Sequence, residues 1–308
     1  MGYITKYGSF WGMLPQTAGR IFWVAPADGY TVEGRSYSAS DGNDGLSPER
    51  AFRTVDYGHN QMTASVGDIL VLLPGAHTST ATVALDVAGV TIVGIPGGAH
   101  EHGSRSSSSG PLNKSSITNT GTAGIIFTVT AADVEVAYLD IEPTAAGGRG
   151  FSVTLAGARL YVHDCNIIMD GTASVTTYGI HYPDDVTGVN ARPWIRNCYF
   201  ASGTISTSGA NGPAILFAGT VRGAIIENCT FELLGTAAWA DAILNTGITN
   251  EMTDAIDCTL ASTNGGTKVF RCYFMEGSDA FEATVTLDIV AAECYLANST
   301  GSILAASA

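Results

Sequence analysis

Five short segments in the second half of this chain share one register: an apolar residue, then polar ones, then Cys, then a variable position, then another apolar residue. They read VHDCNI (Val162–Ile167), IRNCYF (Ile195–Phe200), IENCTF (Ile226–Phe231), FRCYF (Phe270–Phe274, one residue shorter) and AECYL (Ala292–Leu296). Two earlier segments, LDVAGVTIVGI (Leu85–Ile95) and VTAADVEVAYL (Val129–Leu139), put Ile95 and Leu139 where the Cys falls. The shared position recurs at residues 95, 139, 165, 198, 229, 272 and 294. Steps of about 22 to 44 residues are the mark of a solenoid. Each unit buries its apolar face against the next, so the repeat constrains the whole chain.

The unit is made of strands. Within Val66–Gly97, three apolar, β-branched runs, Ile69–Leu73, Ala81–Val87 and Val90–Ile95, are separated by Pro74-Gly75 and Ala88-Gly89, and Pro96-Gly97 closes the last. Short runs bounded by Gly and Pro predict strands and turns. No helix-length periodic segment lies between them. The expected fold is all-β, a β-solenoid whose coils stack their strands in parallel. The rod should hold eight or nine coils and, at a strand spacing of about 4.8 Å, run to about 40 Å.

The coil pattern resembles the right-handed parallel β-helix of the pectin-lyase-like superfamily. SDGNDGLSPERAFRTV (Ser40–Val55), followed by GDILVLLPGAH (Gly67–His77) and LDVAGVTIVGI, is similar to the opening of β-helix proteins of tailed bacteriophages that sit on the virion. The resemblance covers residues 36–140, and beyond them only the coil pattern continues. It implies a right-handed parallel β-helix with a short N-terminal arm (residues 1–35), a β-helix body (residues 36–308) and one capping helix (about residues 48–63). Fold alone does not fix function.

Composition narrows the partners. The 308-residue chain carries 37 Gly, 14% charged residues and a formal charge of −14. An acidic chain does not favour nucleic acid, whose phosphates need a basic face, and gives no reason to expect an anionic membrane. No apolar run reaches the roughly 18 residues of a membrane span. The start, MGYITKYGSFWGMLPQ, lacks the pattern of a signal peptide.

The arm is dense in aromatics. Tyr3, Tyr7, Phe10, Trp11, Phe22 and Trp23 suit interface anchors, because they bring large apolar area with few rotatable bonds. The same residues suit a plug for the open end of the β-helix, and IFWVA (Ile21–Ala25) reads as the strand that starts the body. Asp41-Gly42-Asn43-Asp44-Gly45 departs from a calcium loop, since Gly45 falls at the fifth position rather than the sixth. It reads instead as a turn before the capping helix, with Ser47 as N-cap and Pro48 at the first helical position. Ala51, Phe52, Val55 and Met62 form that helix's apolar face. His100-Glu101-His102 and the Ser-rich run to Ser116 predict a mobile loop over about residues 98–116, without a metal site.

Of the six cysteines, Cys165, Cys198, Cys229, Cys272 and Cys294 hold the repeat register, and Cys258 does not. One register means one side of successive coils, which predicts an inward ladder of reduced thiols. No CxxC pair suggests a metal. Reduced thiols fit assembly in the host cytoplasm. Asn197 and Asn228 precede their Cys, as Asp164 does, and Asn166 follows Cys165; side-chain bonds to the turns or between coils are expected of them.

Catalysis would need paired carboxylates, and Asp170, Asp184, Asp185, Asp241, Asp279 and Glu282 are available with Arg192, Arg196 and Arg222. No motif marks any pair of them, and no cofactor is expected. Tyr182, Trp194, Tyr199 and Trp239 show no common face. The favoured reading is a structural virion protein, a decoration or cement protein on the capsid exterior. The arm would bind the major capsid protein or another virion protein, and the resemblance implies a homo-oligomer, a trimer. The alternative is a tailspike-like protein that binds or cleaves host surface polysaccharide, which a face of aligned aromatics and carboxylates would favour.

Overall fold

The computed structural model describes residues 19–26, 29–32, 34–95, 114–121, 124–143, 147–154, 159–169, 177–183, 192–202, 214–217, 223–232, 254–258, 268–275, 279–283, 290–292 and 295–297. Coil 1 contributes one strand, β1 (Ile21–Val24), followed by a hairpin of β2 (Tyr30–Val32) and β3 (Arg35–Tyr37). Helix α1 (Val55–Asn60) leads into coil 2: β4 (Ile69–Leu72), β5 (Gly75–Ser79) and β6 (Val83–Leu85). Coil 3 is β7 (Thr91–Gly94), β8 (Ser115–Asn119) and β9 (Ile125–Val129). Coil 4 is β10 (Val134–Ala137), β11 (Asp140–Pro143) and β12 (Arg149–Val153). Coil 5 is β13 (Leu160–His163), β14 (Asn166–Met169) and β15 (Tyr178–Tyr182). Coil 6 is β16 (Trp194–Arg196), β17 (Tyr199–Ser202) and β18 (Ile215–Phe217), and coil 7 is β19 (Ile225–Glu227), β20 (Thr230–Glu232) and β21 (Asp254–Cys258). Coil 8 is β22 (Lys268–Phe270), β23 (Tyr273–Met275) and β24 (Asp279–Ala283), and coil 9 is β25 (Val290–Ala292) with β26 (Tyr295–Ala297).

Every third strand pairs, in parallel, with its counterpart one coil on. The first sheet has nine strands, β1-β4-β7-β10-β13-β16-β19-β22-β25; the second has eight, β5 to β26; the third has seven, β6 to β24. This is the expected parallel β-helix, all-β apart from short helical turns. Ile92, Val136, Val162, Ile195, Ile226 and Val269 form one inward column of the first sheet. Phe127 stacks on Phe151 in the third sheet and Phe200 on Phe231 in the second, with centroids 5.2 and 4.9 Å apart. One coil's side chain thus covers the next coil's, which is how a narrow rod keeps water out.

The Cys register is the corner between first and second sheets. The residue before each copy turns into the left-handed region: Tyr138 (φ 56°), Asp164 (51°), Asn197 (49°), Asn228 (52°) and Arg271 (50°). Asn and Asp tolerate that conformation best, which is the reason for the Asp-Cys and Asn-Cys pairs. Cys165, Cys198, Cys229 and Cys272 follow, all buried and none of them in a disulfide. Their thiols donate to backbone carbonyls two residues back, at 3.3, 3.2, 3.4 and 3.3 Å. Burial pushes the Cys165 and Cys229 thiols up, which keeps them unreactive. The predicted ladder stands for these four; Cys294 lies outside the described residues. Asn166 donates to Asp140 at 2.9 Å and Asn197 to Asp164 at 3.4 Å, each across one coil step.

Four expectations need correction. First, the boundary at residue 36 is too late, and the reading of Ile21–Ala25 as the strand that starts the body holds: β1 pairs with β4 residue for residue, Ile21 with Ile69 through Val24 with Leu72. Second, Phe22 and Trp23, read as partner anchors, are only 3% exposed. Phe22 packs near Phe52, with centroids 6.0 Å apart, and Trp23 packs among Ile69, Val71 and Ala51. Their apolar area is used inside the chain. Tyr3, Tyr7, Phe10 and Trp11 lie outside the described residues.

Third, no continuous helix spans 48–63. A short 3-10 turn, Pro48–Arg50, ends as Ala51 extends (ψ 148°), and Phe52 bridges to Val24 as a strand would. Thr54 then caps α1, its hydroxyl accepting from the Tyr57 amide. Ser47 makes no side-chain cap bond. Ala51, Phe52, Val55 and Met62 are buried as expected, on a folded loop and a short helix rather than one helical face. Asp41 accepts from the amides of Arg53 and Thr54 at 2.9 and 3.0 Å, which pins this cap. Gly45 (φ 65°) lies against the Phe52 ring, where a Cβ would clash. Fourth, the 98–116 loop ends earlier, because Ser115 and Ser116 already belong to β8 and pair with Gly75 and Ala76. His100, Glu101 and His102 lie outside the described residues.

Candidate functional site

The outer face of the first sheet is where polar chemistry gathers. Its outward positions fall in two columns, because side chains alternate along a strand. One runs Thr91, Glu135, Tyr161, Trp194, Ile225 and Lys268 from coil 3 to coil 8. The other runs Val93, Ala137, His163, Arg196, Glu227 and Phe270.

The centre is His163. Its Nε2 lies 2.8 Å from Glu135 Oε1 on the preceding coil, and its Nδ1 lies 2.7 Å from Asp164 Oδ2. Thr91, one coil earlier still, donates to the other Glu135 oxygen at 2.9 Å. Burial pulls the imidazole down, but hydrogen bonds and charges from both carboxylates outweigh it and raise His163 to about 9. Burial likewise opposes ionised Glu135, but the bonds from His163 and Thr91 prevail and hold it below its ordinary value. An imidazolium donating through both nitrogens has no lone pair for a substrate proton, so His163 is a clip and not a general base.

Tyr161 stacks on His163, with centroids 4.4 Å apart, and on Trp194 at 4.8 Å and 18° between planes. The Tyr161–Trp194 spacing equals one coil step. Rings stacked along the rod cover one another's faces and turn their edges outward. Trp194 is 39% exposed and donates Nε1–H to Glu227 at 3.0 Å. Glu227 also pairs with Arg196 at 3.4 Å and with Arg271, from the next coil, at 3.7 Å. Each described carboxylate of this face is thus tied to a neighbour, mostly across a coil step.

The candidate acids do not converge here. Asp170, Asp184, Asp185, Asp241 and Arg222 lie outside the described residues. Asp279 and Glu282 belong to β24 in the third sheet, in register with Asp254 and Asp257 of β21. Arg192 lies near Gly223, and Arg196 joins the Glu227 pairs. Tyr182 and Tyr199 are buried, so only Trp194 of the aromatics weighed above stands on this face; Trp239 lies outside the described residues. The stacked column was within reach of the sequence. Counting back four residues from each Cys gives Tyr161, Trp194, Ile225 and Lys268; counting back two gives His163, Arg196, Glu227 and Phe270. Among the described residues, no His, Cys, Asp and Glu group is arranged to hold a metal ion, and no helix is long and apolar enough to cross a membrane.

No family model matches the chain, and no curated protein matches it. Among solved structures it is similar to ORF18 of Geobacillus virus E2, at 15% identity and a TM-score of 0.40, over 80% of this chain and 50% of that one. The chain thus spans about half the length of that phage protein. It is also similar to pectin methylesterases solved with hexasaccharides, one at 11% identity and TM-score 0.40, another at 13% and 0.38, each over 89% of this chain and 92% of the other.

Proposed function

We propose that this chain is a structural phage virion protein, a short rigid β-helix that decorates the capsid exterior and is held there by its N-terminal segment. The observation that carries the non-catalytic part is the first-sheet face. Glu135, Asp164, Glu227 and His163 are spent joining one coil to the next. Such pairing stiffens a rod and leaves no described acid of this face poised for proton transfer. The likeness of Ser40–Val55 and Gly67–His77 to virion β-helix proteins supports the location. The partner is the major capsid protein or another virion protein, and the assembly is a homotrimer. Mass spectrometry of purified particles tests this: the reading requires the chain in stoichiometric, ordered copies, and its absence from particles rules the reading out.

A second reading has one observation in its favour. Exposed Trp194 shares the first-sheet face with Arg196 and Glu227, which Arg271 joins from the corner of the next coil, and exposed Tyr273 stands past that corner on β23 of the second sheet, a mix of aromatic and charged groups that suits host surface polysaccharide. Retention on glycan arrays, lost in Trp194→Ala, would move the weight to it.

A further inference from the structure

The third sheet carries a second polar cluster that the coil-stitching role does not use. Arg149 and Ser152 stand on β12, and Tyr178 and His181 one coil later on β15, with Arg149 opposite Tyr178 and Ser152 opposite His181. The Arg149 guanidinium lies over the Tyr178 ring, 5.9 Å from its centroid, and its Nη1 donates to Ser152 Oγ at 3.2 Å. Tyr178 stacks on His181 at 5.0 Å and 18°. His181 is only 7% exposed and its Nδ1 has no hydrogen-bond partner; neither has the buried Nε of Arg149.

Buried charge is normally paired. Here no described carboxylate faces the guanidinium. Arg149 has Ile125 beside it on β9, and the Ser152–His181 column continues to Thr128 on β9 and Leu216 on β18, all uncharged. The contrast with the first sheet is direct, since Arg196 and Arg271 there have Glu227. Two nitrogen groups lacking an acceptor, a hydroxyl and a guanidinium fork form a set that suits an oxyanion.

We infer that Arg149, Ser152 and His181 form a binding site for an oxyanion, a carboxylate or a sulfate or phosphate group of a ligand, on the outer face of the third sheet. The guanidinium supplies the charge, Ser152 holds its fork, and His181 Nδ1–H donates the second hydrogen bond. Burial and the Arg149 charge hold His181 at about 4. A bound anion offsets both, so binding takes up a proton at His181 and tightens as pH falls.

Imidazole-detected NMR of the whole chain tests the site, with the His181 signal assigned from His181→Gln. Sulfate, phosphate and acetate are titrated separately, and their order of effect tells a sulfate or phosphate group from a carboxylate. The expected result is a His181 midpoint that rises by about one unit or more on saturation, and no such response in Arg149→Gln. Arg149→Lys keeps the charge without the fork and should respond more weakly, which guards against a glutamine variant that fails to fold. A midpoint already at its ordinary value without added anion would mean that the chain's own carboxylate fills the site, and would overturn the inference. So would no response to any of the three anions, or an equal response in Arg149→Gln.

Discussion

The outer face of the first sheet changes character along the rod. Over coils 1 to 3 it is apolar apart from Thr91 at its far edge: Trp23, Ile69, Val71, Leu73, Val93 and Ile95 pack with Ala51 and with Ala137 of coil 4, and the segment bearing Tyr30 and Ala39 folds across them. From coil 4 onward the equivalent positions hold Glu135, Tyr161, His163, Trp194, Arg196 and Glu227. The strands pair alike in both regions, so the backbone does not make the difference. The first region has a cover, and burial there is rewarded by the hydrophobic effect at about 25 cal/mol per Å². In the second region side chains reach solvent, and the coils are joined instead by rings stacked edge-out and by ion pairs across each step.

The widest separation should appear at the two tryptophans that occupy these regions. Trp23→Ala should cost about 3–5 kcal/mol, as emptied core sites do, read by equilibrium denaturation. Next comes the His163 clip. His163→Gln should cost about 1.5–3 kcal/mol, the range for hydrogen bonds to charged groups. Combining it with Glu135→Gln should add little more, because both remove one interaction.

The clip also sets a pH window. His163 is raised, so its contribution is complete below its ordinary value of 6.5 and is lost as pH rises through about 9. Glu135 is lowered, so its contribution is present above its ordinary 4.5 and is lost as pH falls through its folded-state value. His77, buried and held at about 4, cannot follow the unfolded chain in taking up a proton, so stability also falls as pH drops from 6.5 toward 4. Melting temperatures across this range should peak between the limbs, and His163→Gln should flatten the alkaline limb and weaken the Glu135 part of the acid limb, leaving the His77 part in place. Smaller is Trp194→Ala, about 0.5–1.5 kcal/mol from lost stacking; a loss equal to that of Trp23→Ala would erase the distinction between covered and open regions. Smallest is Arg271→Ala, about 0.2–1 kcal/mol, as its side chain is 54% exposed.

Much of the rod was legible because the corner is chemically demanding. A left-handed residue followed by a small buried one recurs as Asp164-Cys165, Asn197-Cys198 and Asn228-Cys229, and a reader of the sequence meets it as a motif. Strand β5 was not legible, since GAHTS is short, polar and opens on Gly75, in a run that otherwise reads as a turn. The capping helix was drawn too long because Pro48 and Thr54 are both start signals; the tertiary bridge from Phe52 to Val24 separates them. The stripe on the open face was missed for another reason. Tyr161 and Trp194 are 33 residues apart only because of the intervening turns, and coil lengths vary, so a fixed period cannot align them. Only counting from the Cys does. The Arg149 and His181 cluster has no such anchor and needed the pairing of β12 with β15.

Electron cryomicroscopy of particles of the source phage tests the proposed function most directly. The account predicts density for a rod of about eight coil steps, near 40 Å at the spacing of parallel strands, repeated on the capsid exterior. The segment before β1 should contact the shell, and the stitched face of the first sheet should hold no substrate. Density confined to the tail tip, with saccharide against Trp194 and Tyr273, would contradict it.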